Sequence, residues 1–259
     1  METESAVQID KASVAPSHAG FAGRVSRHDE LGLTVFENVI PQPMLDLMNA
    51  AIDEQRDDWS QADGGSETRL AGAFAGMLRR LEDFRSIEQG ACAAITTYPA
   101  PPIPAADSKH VLRCVNRDMS WQSHLRHHDS HLLTLLIPLQ LAYGTGQNGD
   151  LLLYRKRRQS VSLLSNLLFK TWLVIQQNRR FAVRKRQTYR DIEQQRCQQI
   201  ACKPGNVYVF NGFQSLHANL EIESGERRSL IIHHFDPRLT AGIKNVTRTL
   251  RSLRERISA

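Results

Sequence analysis

From His110 onward the chain breaks into short apolar runs bounded by turn residues, and this texture constrains the fold more than any other feature. Eight runs have strand length and composition: His110–Asn116, Leu125–His131, Leu133–Leu139, Asp150–Tyr154, Gln198–Cys202, Asn206–Phe210, Leu216–Ile222 and Arg227–Phe235. Turn signals separate many of them, at Gly144–Gly149, Lys203-Pro-Gly205, Asn211-Gly212 and Ser224-Gly-Glu226. Such a series predicts a mainly β core of jelly-roll, or double-stranded β-helix, form. A helical support is expected ahead of it. Pro41–Glu54 places Met44, Leu45, Leu47, Met48 and Ile52 at helical spacing, and Glu67–Glu88 sets Leu70, Phe74, Met77, Leu78 and Leu81 along one side. Leu31–Phe36 reads as a short strand.

The expected organisation follows from these patterns. Residues 1–28 are Ala/Ser-rich without periodicity and predict a flexible tail. Residues 29–104 form the helical support and end in the Pro-rich connector Tyr98–Pro104. Residues 105–240 form the β core, interrupted by an insert at 155–197, and residues 241–259 form a basic C-terminal helix or tail. At 259 residues the chain is long enough to bury a substantial core. No apolar run is long enough to span a bilayer, and the acidic N-terminus has no signal-peptide core. Cys92, Cys114, Cys197 and Cys202 lack CxxC spacing, so a reducing, cytoplasmic setting is expected.

The chemistry-bearing stretch is Trp121-Gln-Ser-His-Leu-Arg-His-His-Asp-Ser-His131, just before the apolar run Leu132–Leu139. On a strand, His127 and Asp129 leave from one face and His128 from the other. A neutral imidazole beside a carboxylate makes two members of the 2-His-1-carboxylate set that holds non-haem Fe(II). A His-x-Asp alone is common, so the weight falls on what comes later. His217 lies on a late predicted strand, and Arg227 follows within Gly225-Glu-Arg-Arg-Ser-Leu-Ile-Ile-His-His-Phe235. A facial set of three ligands leaves positions open for a bidentate 2-oxo acid and O2. The far carboxylate of that acid needs a fixed cation, which arginine meets bidentately while a hydroxyl adds a bond. Arg227 and Ser229 share a strand face; Arg228 is the rival cation, because a one-residue slip exchanges the two. His124, His128, His131, His233 and His234 read as surface, core or pocket-lining histidines.

Four motifs in order carry a resemblance. They are His127-x-Asp129, Gly149-Asp-Leu, Lys203-Pro-Gly-Asn-Val-Tyr-Val-Phe, and His217 followed by Gly225-x-Arg227-x-Ser229. Together they resemble the 2-oxoglutarate- and Fe(II)-dependent dioxygenases of the prolyl-hydroxylase-like group, over about residues 105–237. The resemblance implies that His127, Asp129 and His217 bind iron and that Arg227, with Ser229, binds 2-oxoglutarate. It implies O2 as co-reactant, with ascorbate as a supporting reductant, and hydroxylation of a substrate C–H coupled to formation of succinate and CO2. Halogenases of the superfamily have a small residue in place of the carboxylate ligand, so Asp129 favours hydroxylation, with desaturation and ring closure as related outcomes. The chain departs from the pattern at Asn116-Arg-Asp118, where many relatives have an Arg-Tyr pair. It departs again in the long segment between Tyr154 and Lys203.

That segment carries the chain's charge asymmetry. Between Arg155 and Arg196 stand twelve Lys/Arg against Asp191 and Glu193, a local +10 within a net +6, so the remainder is about −4. Its centre, Val161–Ile175, is apolar with a stripe of Ser162, Ser165, Asn166 and Lys170, and is too short to cross a bilayer. Three readings stand: a helical lid with solvated basic ends, a peripheral contact with an anionic membrane through residues 155–190, and a nucleic-acid contact. The last is disfavoured by the apolar centre and scarce aromatics. The expected substrate is therefore anionic, in one reading lipid-linked. Hydroxylation of a soluble metabolite or peptide residue, oxidative demethylation of nucleic acid, and a non-catalytic jelly-roll binding module are the alternatives.

Overall fold

The computed structural model describes residues 7–8, 23–55, 69–96, 108–142, 148–157, 160–161, 171–173 and 175–236. The larger sheet is built around Glu226–His234 (β11), which pairs antiparallel with Lys109–Asn116 (β4) on one side and Leu133–Gln140 (β5) on the other. From β5 the sheet continues through Val207–Phe210 (β9) to Leu33–Phe36 (β3) and Val25–His28 (β2). In the smaller sheet, Leu151–Arg157 (β6) lies between Cys197–Ile200 (β8) and Ser215–Asn219 (β10). A third, two-residue pairing joins Val7–Gln8 (β1) to Ser160–Val161 (β7).

Followed from β4, the backbone passes between the two sheets in the order expected of a jelly roll. It runs from β4 to the edge of the smaller sheet at His127, then to β5, β6, β8, β9, β10 and β11. Period-two alternation gives the larger sheet two buried faces. Leu33, Val35, Leu136, Tyr208 and Phe210 point inward, against Leu151, Leu153, Ile200 and Cys202 of the smaller sheet. Leu112, Leu135, Ile137, Leu139, Val209, Leu230 and Ile232 point outward, into a core shared with the helices.

Three helices cover that outer face. Gln42–Glu54 (α1) buries Leu45, Met48 and Ile52, and the Asn49 side chain donates to the Leu139 carbonyl at 3.0 Å. Arg69–Leu78 (α2) buries Ala71, Phe74, Ala75 and Leu78. Glu82–Thr96 (α3) buries Phe84, Ile87, Ala91 and Ile95 at helical spacing. Each fully buried Leu, Ile or Phe side chain contributes roughly 1.5–3 kcal/mol, so this shared core is the main support of the larger sheet.

Several expectations need correction. The stretch Glu67–Glu88 is not one helix, because the chain turns at Arg79–Leu81 and resumes as α3. That turn brings Arg79 back onto Glu88 of α3, with two bonds of 2.8 Å. The tail does not extend to residue 28, since Val25–His28 pairs with β3. Nor are residues 29–104 a separate support, because β3 hydrogen-bonds to β9 within the main sheet. Leu125–His131 is not a regular strand: only His127 bridges to His217. Its backbone reaches Asn219, His217 and Gly212 from His124, His127 and Asp129, a spacing that no single ladder register accommodates. Residues 57–66, the connector 98–104, the insert centre 162–170 and the segment 241–259 lie outside the described residues.

The described part of the insert packs on the back of the smaller sheet. Phe181–Glu193 (α4) places Ile192 against Leu152, Ala218 and Leu220. Much of its charge is used internally. Buried Arg184 donates to the Trp121 carbonyl at 2.8 Å and to that of Gln177. Asp191, also buried, accepts from Arg126, Arg196 and the Tyr154 hydroxyl at 3.2, 3.3 and 3.1 Å. Lys185 pairs with Glu221. Among the described residues no helix is long and apolar enough to cross a membrane. All four cysteines are free thiols.

One ionic contact between the helices and the sheet sets an acid sensitivity. Glu88 accepts from Arg79 and lies 3.1 Å from Nε2 of His234 on β11. Burial opposes its charge, but the bonds from His234 and Arg79 win and hold the carboxyl at about 2 rather than 4.5. Its stabilisation is therefore complete above about pH 4.5 and lost as the pH falls toward about 2, with a magnitude on the order of 3 kcal/mol. Urea denaturation across this window should show the wild type losing stability on acidification. Glu88→Gln should start less stable at neutral pH and show a visibly shallower decline.

Candidate metal centre and anion pocket

His127 and His217 face each other across the single bridge that joins the irregular segment 125–131 to β10, with reciprocal backbone bonds of 2.9 Å. Asp129, two residues on, is anchored by its backbone N–H to the Gly212 carbonyl at 2.9 Å. The result is a cluster of His127, Asp129 and His217 with ligand atoms all within 4.8 Å of one another. Oδ1 of Asp129 lies 3.9 Å from Nε2 of His127 and 3.5 Å from Nε2 of His217.

The orientation of both imidazoles is fixed by the backbone. Nδ1 of His127 lies 2.9 Å from the Leu125 carbonyl, and Nδ1 of His217 lies 3.0 Å from that of Ser215. A carbonyl only accepts, so each Nδ1 donates its proton there and each Nε2 is turned to the centre; burial acts against a charge on His217, but Asp129 outweighs it and raises the His217 pKa, so a bound metal would displace a proton shared with Asp129. This is the arrangement metal-binding histidines use, with the non-coordinating nitrogen tied to an acceptor. Burial pushes His127 down to about 4, reinforced by His217, and keeps it neutral. Burial also acts against the charge on Asp129, but His217, His233 and His127 outweigh it and hold the carboxylate well below its usual range. Two neutral-capable imidazoles and one ionised carboxylate fit a divalent first-row metal such as Fe(II).

The second oxygen of Asp129 is also placed. Thr134 Oγ1 donates to Oδ2 at 2.6 Å and lies 3.1 Å from Nδ1 of His233. Gly212 leaves the space for this contact, because a Cβ there would collide with Asp129 Oδ2 and Thr134 Oγ1 and lie 2.8 Å from Asp129 Cγ. His233 stacks on His131 with centroids 5.1 Å apart. Neither Thr134 nor Gly212 stands out in the sequence: one is a hydroxyl in an apolar strand, the other half of a turn signal. Their only legible sign is position, Thr134 lying at the start of the apolar run and Gly212 before the His217 strand.

Along β11 the residues alternate in side. Leu230 and Ile232 join the helix-side core and His234 meets Glu88, so Arg227, Ser229, Ile231 and His233 face the interior between the sheets. Arg228 faces outward, where it pairs with Asp53 and with Glu226 at 2.7 Å and donates to the Asn49 carbonyl at 3.0 Å. Of the two arginines, Arg227 is the one inside. It is buried, its Nη1 donates to the Gly149 carbonyl, and its Nε has no partner among the described residues. Gly149, at φ 74°, gives it room: a Cβ there would sit 3.2 Å from Nη1 and 2.9 Å from Ile222 Cγ1. Burial lowers the guanidinium pKa, and an anion seated against it would relieve that cost. Ser229, on the same face, is also buried.

A scan against protein-family models finds no match, and no curated protein sequence is similar. Among solved structures the chain is similar to a prolyl-4-hydroxylase of Pseudomonas putida, at 12% identity and TM-score 0.42, covering 78% of this chain and 90% of that one. It is similar to the non-haem alpha-ketoglutarate-dependent carbocyclase SnoK of nogalamycin biosynthesis, at 14% identity and TM-score 0.48, covering 78% and 79%. A prolyl 4-hydroxylase of Phytophthora capsici is similar at 12% identity and TM-score 0.46, covering 87% and 72%. Likenesses at this level assign no residue a role, and the chemistry rests on the centre itself.

Because Gly212 touches both Asp129 and Thr134, Gly212→Ala should disturb the centre more than the fold. Titration with Co(II), followed by its visible d–d bands, should show affinity falling by about tenfold or more, the size of effect seen when support around a metal ligand is lost. Affinity unchanged within about twofold would mean that Gly212 does not shape the centre.

Proposed function

We propose that this chain is an Fe(II)- and 2-oxoglutarate-dependent dioxygenase that hydroxylates a C–H bond of an anionic substrate. The observation that carries this reading is the pair of histidines whose Nδ1 protons are committed to backbone carbonyls while both Nε2 atoms converge on Oδ1 of Asp129. His127, Asp129 and His217 hold the metal in this reading. When bound, the metal and 2-oxoglutarate supply the oxidising chemistry, with succinate and CO2 as co-products.

The remaining roles belong to the protein's own side chains. Arg227 receives the distal carboxylate of 2-oxoglutarate, with Ser229 adding a hydroxyl bond from the same strand face. The Gly149 carbonyl aims the guanidinium, and Gly149 itself leaves the space beside it. Thr134 holds Asp129 Oδ2, which keeps Oδ1 turned toward the two Nε2 atoms. Leu153, Ile200 and Phe210, with the partly buried Leu136, make the neighbouring inner face apolar.

Anaerobic addition of Fe(II) and then 2-oxoglutarate should produce a weak visible charge-transfer band. His127→Ala should abolish it, and Arg227→Gln should raise the 2-oxoglutarate concentration needed by about tenfold or more, as expected on losing a buried charge-assisted pair. No band in the wild type, together with no succinate formed in air, would overturn the reading.

A lipid-linked substrate is supported by exposed apolar side chains in the insert and just before His127. Trp121, Trp172, Ile175 and Val183 are exposed, at 51%, 43%, 58% and 45%. The Arg126 guanidinium, next to His127, stands over the Trp172 ring at 6.0 Å, and Arg179 and Arg180 are exposed nearby. Aromatic and aliphatic side chains among arginines suit the interface of an anionic bilayer. The full chain should float with vesicles containing phosphatidylglycerol and not with neutral phosphatidylcholine vesicles, and the double variant Trp172→Ser, Ile175→Ser should stay behind. Equal flotation of wild type and variant would remove the membrane from the reading.

A further inference from the structure

His124 joins the insert to the sheet edge that carries the metal ligands. It stands immediately before Leu125, whose carbonyl receives the bond from Nδ1 of His127. Its backbone N–H donates to the Asn219 carbonyl of β10 at 2.8 Å, and the chain turns there at φ 60°. Residues other than Gly seldom take that left-handed conformation, and it persists where surrounding contacts hold it. Here the side chain supplies them. Nε2 bonds to Oε2 of Glu221, just beyond β10, and the ring meets Phe181 of α4 edge-on with centroids 5.5 Å apart. Tyr189 of the same helix lies 6.1 Å away.

Glu221 is in turn held by α4. Its other oxygen accepts from the Tyr189 hydroxyl at 3.2 Å and from Lys185. Burial acts against its charge, but the bonds from Lys185 and His124 outweigh it and hold the carboxyl below its usual range. Burial also pushes the His124 pKa down, against the pull of Glu221. Nδ1 of His124 is buried without a partner among the described residues, so the ring is neutral and Nε2–H donates to the carboxylate.

The insert grips the same stretch on both sides of His124. Arg184 donates to the Trp121 carbonyl, Gln177 donates to the Arg126 carbonyl at 2.9 Å, and the Arg126 side chain reaches Asp191. The ligand segment therefore leaves the insert and arrives at the centre within a few residues. His124 is tied to both sides of this passage, by its backbone to β10 and by its side chain to the carboxylate that α4 holds.

We propose that His124 is a positioning residue for the metal centre: bonded to Glu221, it fixes the turn that aims the Leu125 carbonyl at Nδ1 of His127, so that the insert sets the orientation of a metal ligand. This rests on the metal-centre reading of His127, Asp129 and His217. A slack turn leaves His127 on its backbone bridge to His217 and frees its ring to rotate, so the ligand is present and misaimed. His124 needs an acceptor at position 221, which glutamine supplies and alanine does not.

The test uses the full chain loaded with Co(II), read by its visible d–d bands and by proton NMR in water, where each coordinated imidazole gives a paramagnetically shifted, exchangeable Nδ1–H signal. The wild type should show two such signals. His124→Gly suits the positive φ and removes the ring; one signal should be lost to rapid solvent exchange while the other persists, and Co(II) affinity should fall by about tenfold. Glu221→Ala should behave alike, whereas Glu221→Gln should keep both signals and bind within about twofold of the wild type. Far-UV circular dichroism of the metal-free proteins shows which variants fold, and Glu221→Ala carries the test if His124→Gly does not. Two protected signals in both variants, or the loss of both together, would overturn the positioning role. So would equal losses in Glu221→Gln and Glu221→Ala, because the pairing with Lys185 would then matter and the bond to His124 would not. Failure of both His124→Gly and Glu221→Ala to fold would make the pair a support of the fold and overturn the proposal as well. A wild type that binds no Co(II) would instead remove the metal-centre reading itself.

Discussion

Two backbone carbonyls, those of Leu125 and Ser215, decide what the interior of this barrel can do. Each accepts a hydrogen bond from an imidazole Nδ1 and so turns the other ring nitrogen inward, toward the centre. Without that constraint His127 and His217 would be two histidines beside an aspartate, free to settle into an ordinary hydrogen-bonded cluster. With it, three ligand atoms converge, and Thr134 and Gly212 complete the setting by fixing the far oxygen of Asp129. The carbonyls can act this way because each lies two residues before its histidine, on backbone that the His127–His217 bridge holds extended.

The β core was legible because its strands alternate and end at turn residues. β4, β5, β6, β9 and β11 fall within a few residues of the runs read from the sequence. The clustering of His127, Asp129 and His217 was legible for a different reason: it joins rare residue types at separations that few unrelated segments share. What escaped notice depends on partners distant in sequence. Val25–His28 has no hydrophobic signature of its own and becomes a strand through β3. The break at Arg79–Leu81 interrupts an unbroken helical period, and its partner is the Glu88 carboxylate in the next helix. Segment 125–131 looks like a strand by composition, yet the loop 211–214 opposite it prevents a continuous ladder. The face shared with Ser229 already favours Arg227 over Arg228 in the sequence, and β11 turns Arg228 outward to Asp53.

The insert shows how a net charge can mislead. Its excess of arginine and lysine suggested a surface made for anions. Arg184 is instead spent on two carbonyls, and Arg126, Lys185 and Arg196 on the buried or half-buried acids Asp191 and Glu221. These contacts fasten α4 to the back of the smaller sheet, immediately behind the strands that carry His217. Removing one partner from such a buried pair leaves a charge stranded, so the fastening tolerates paired replacement better than single loss. Among the described residues of the insert, Arg179, Arg180, Arg186 and Arg190 remain exposed.

The two ligand segments belong to different parts of the chain. His127 and Asp129 precede β5, while His217 lies on β10, so a metal ion held there would clasp the beginning of the core to its end. Everything from β5 to β9 is enclosed in the loop that this clasp closes. Closing a long loop restricts the unfolded chain more than closing a short one, though the dependence on length is gentle. With a metal bound as proposed, its loading and the folding of the smaller sheet's edge would be one equilibrium, and the ion would fasten the topology as well as serve the chemistry. The edge between residues 125 and 131, held to β10 by a single bridge, is where this coupling is concentrated.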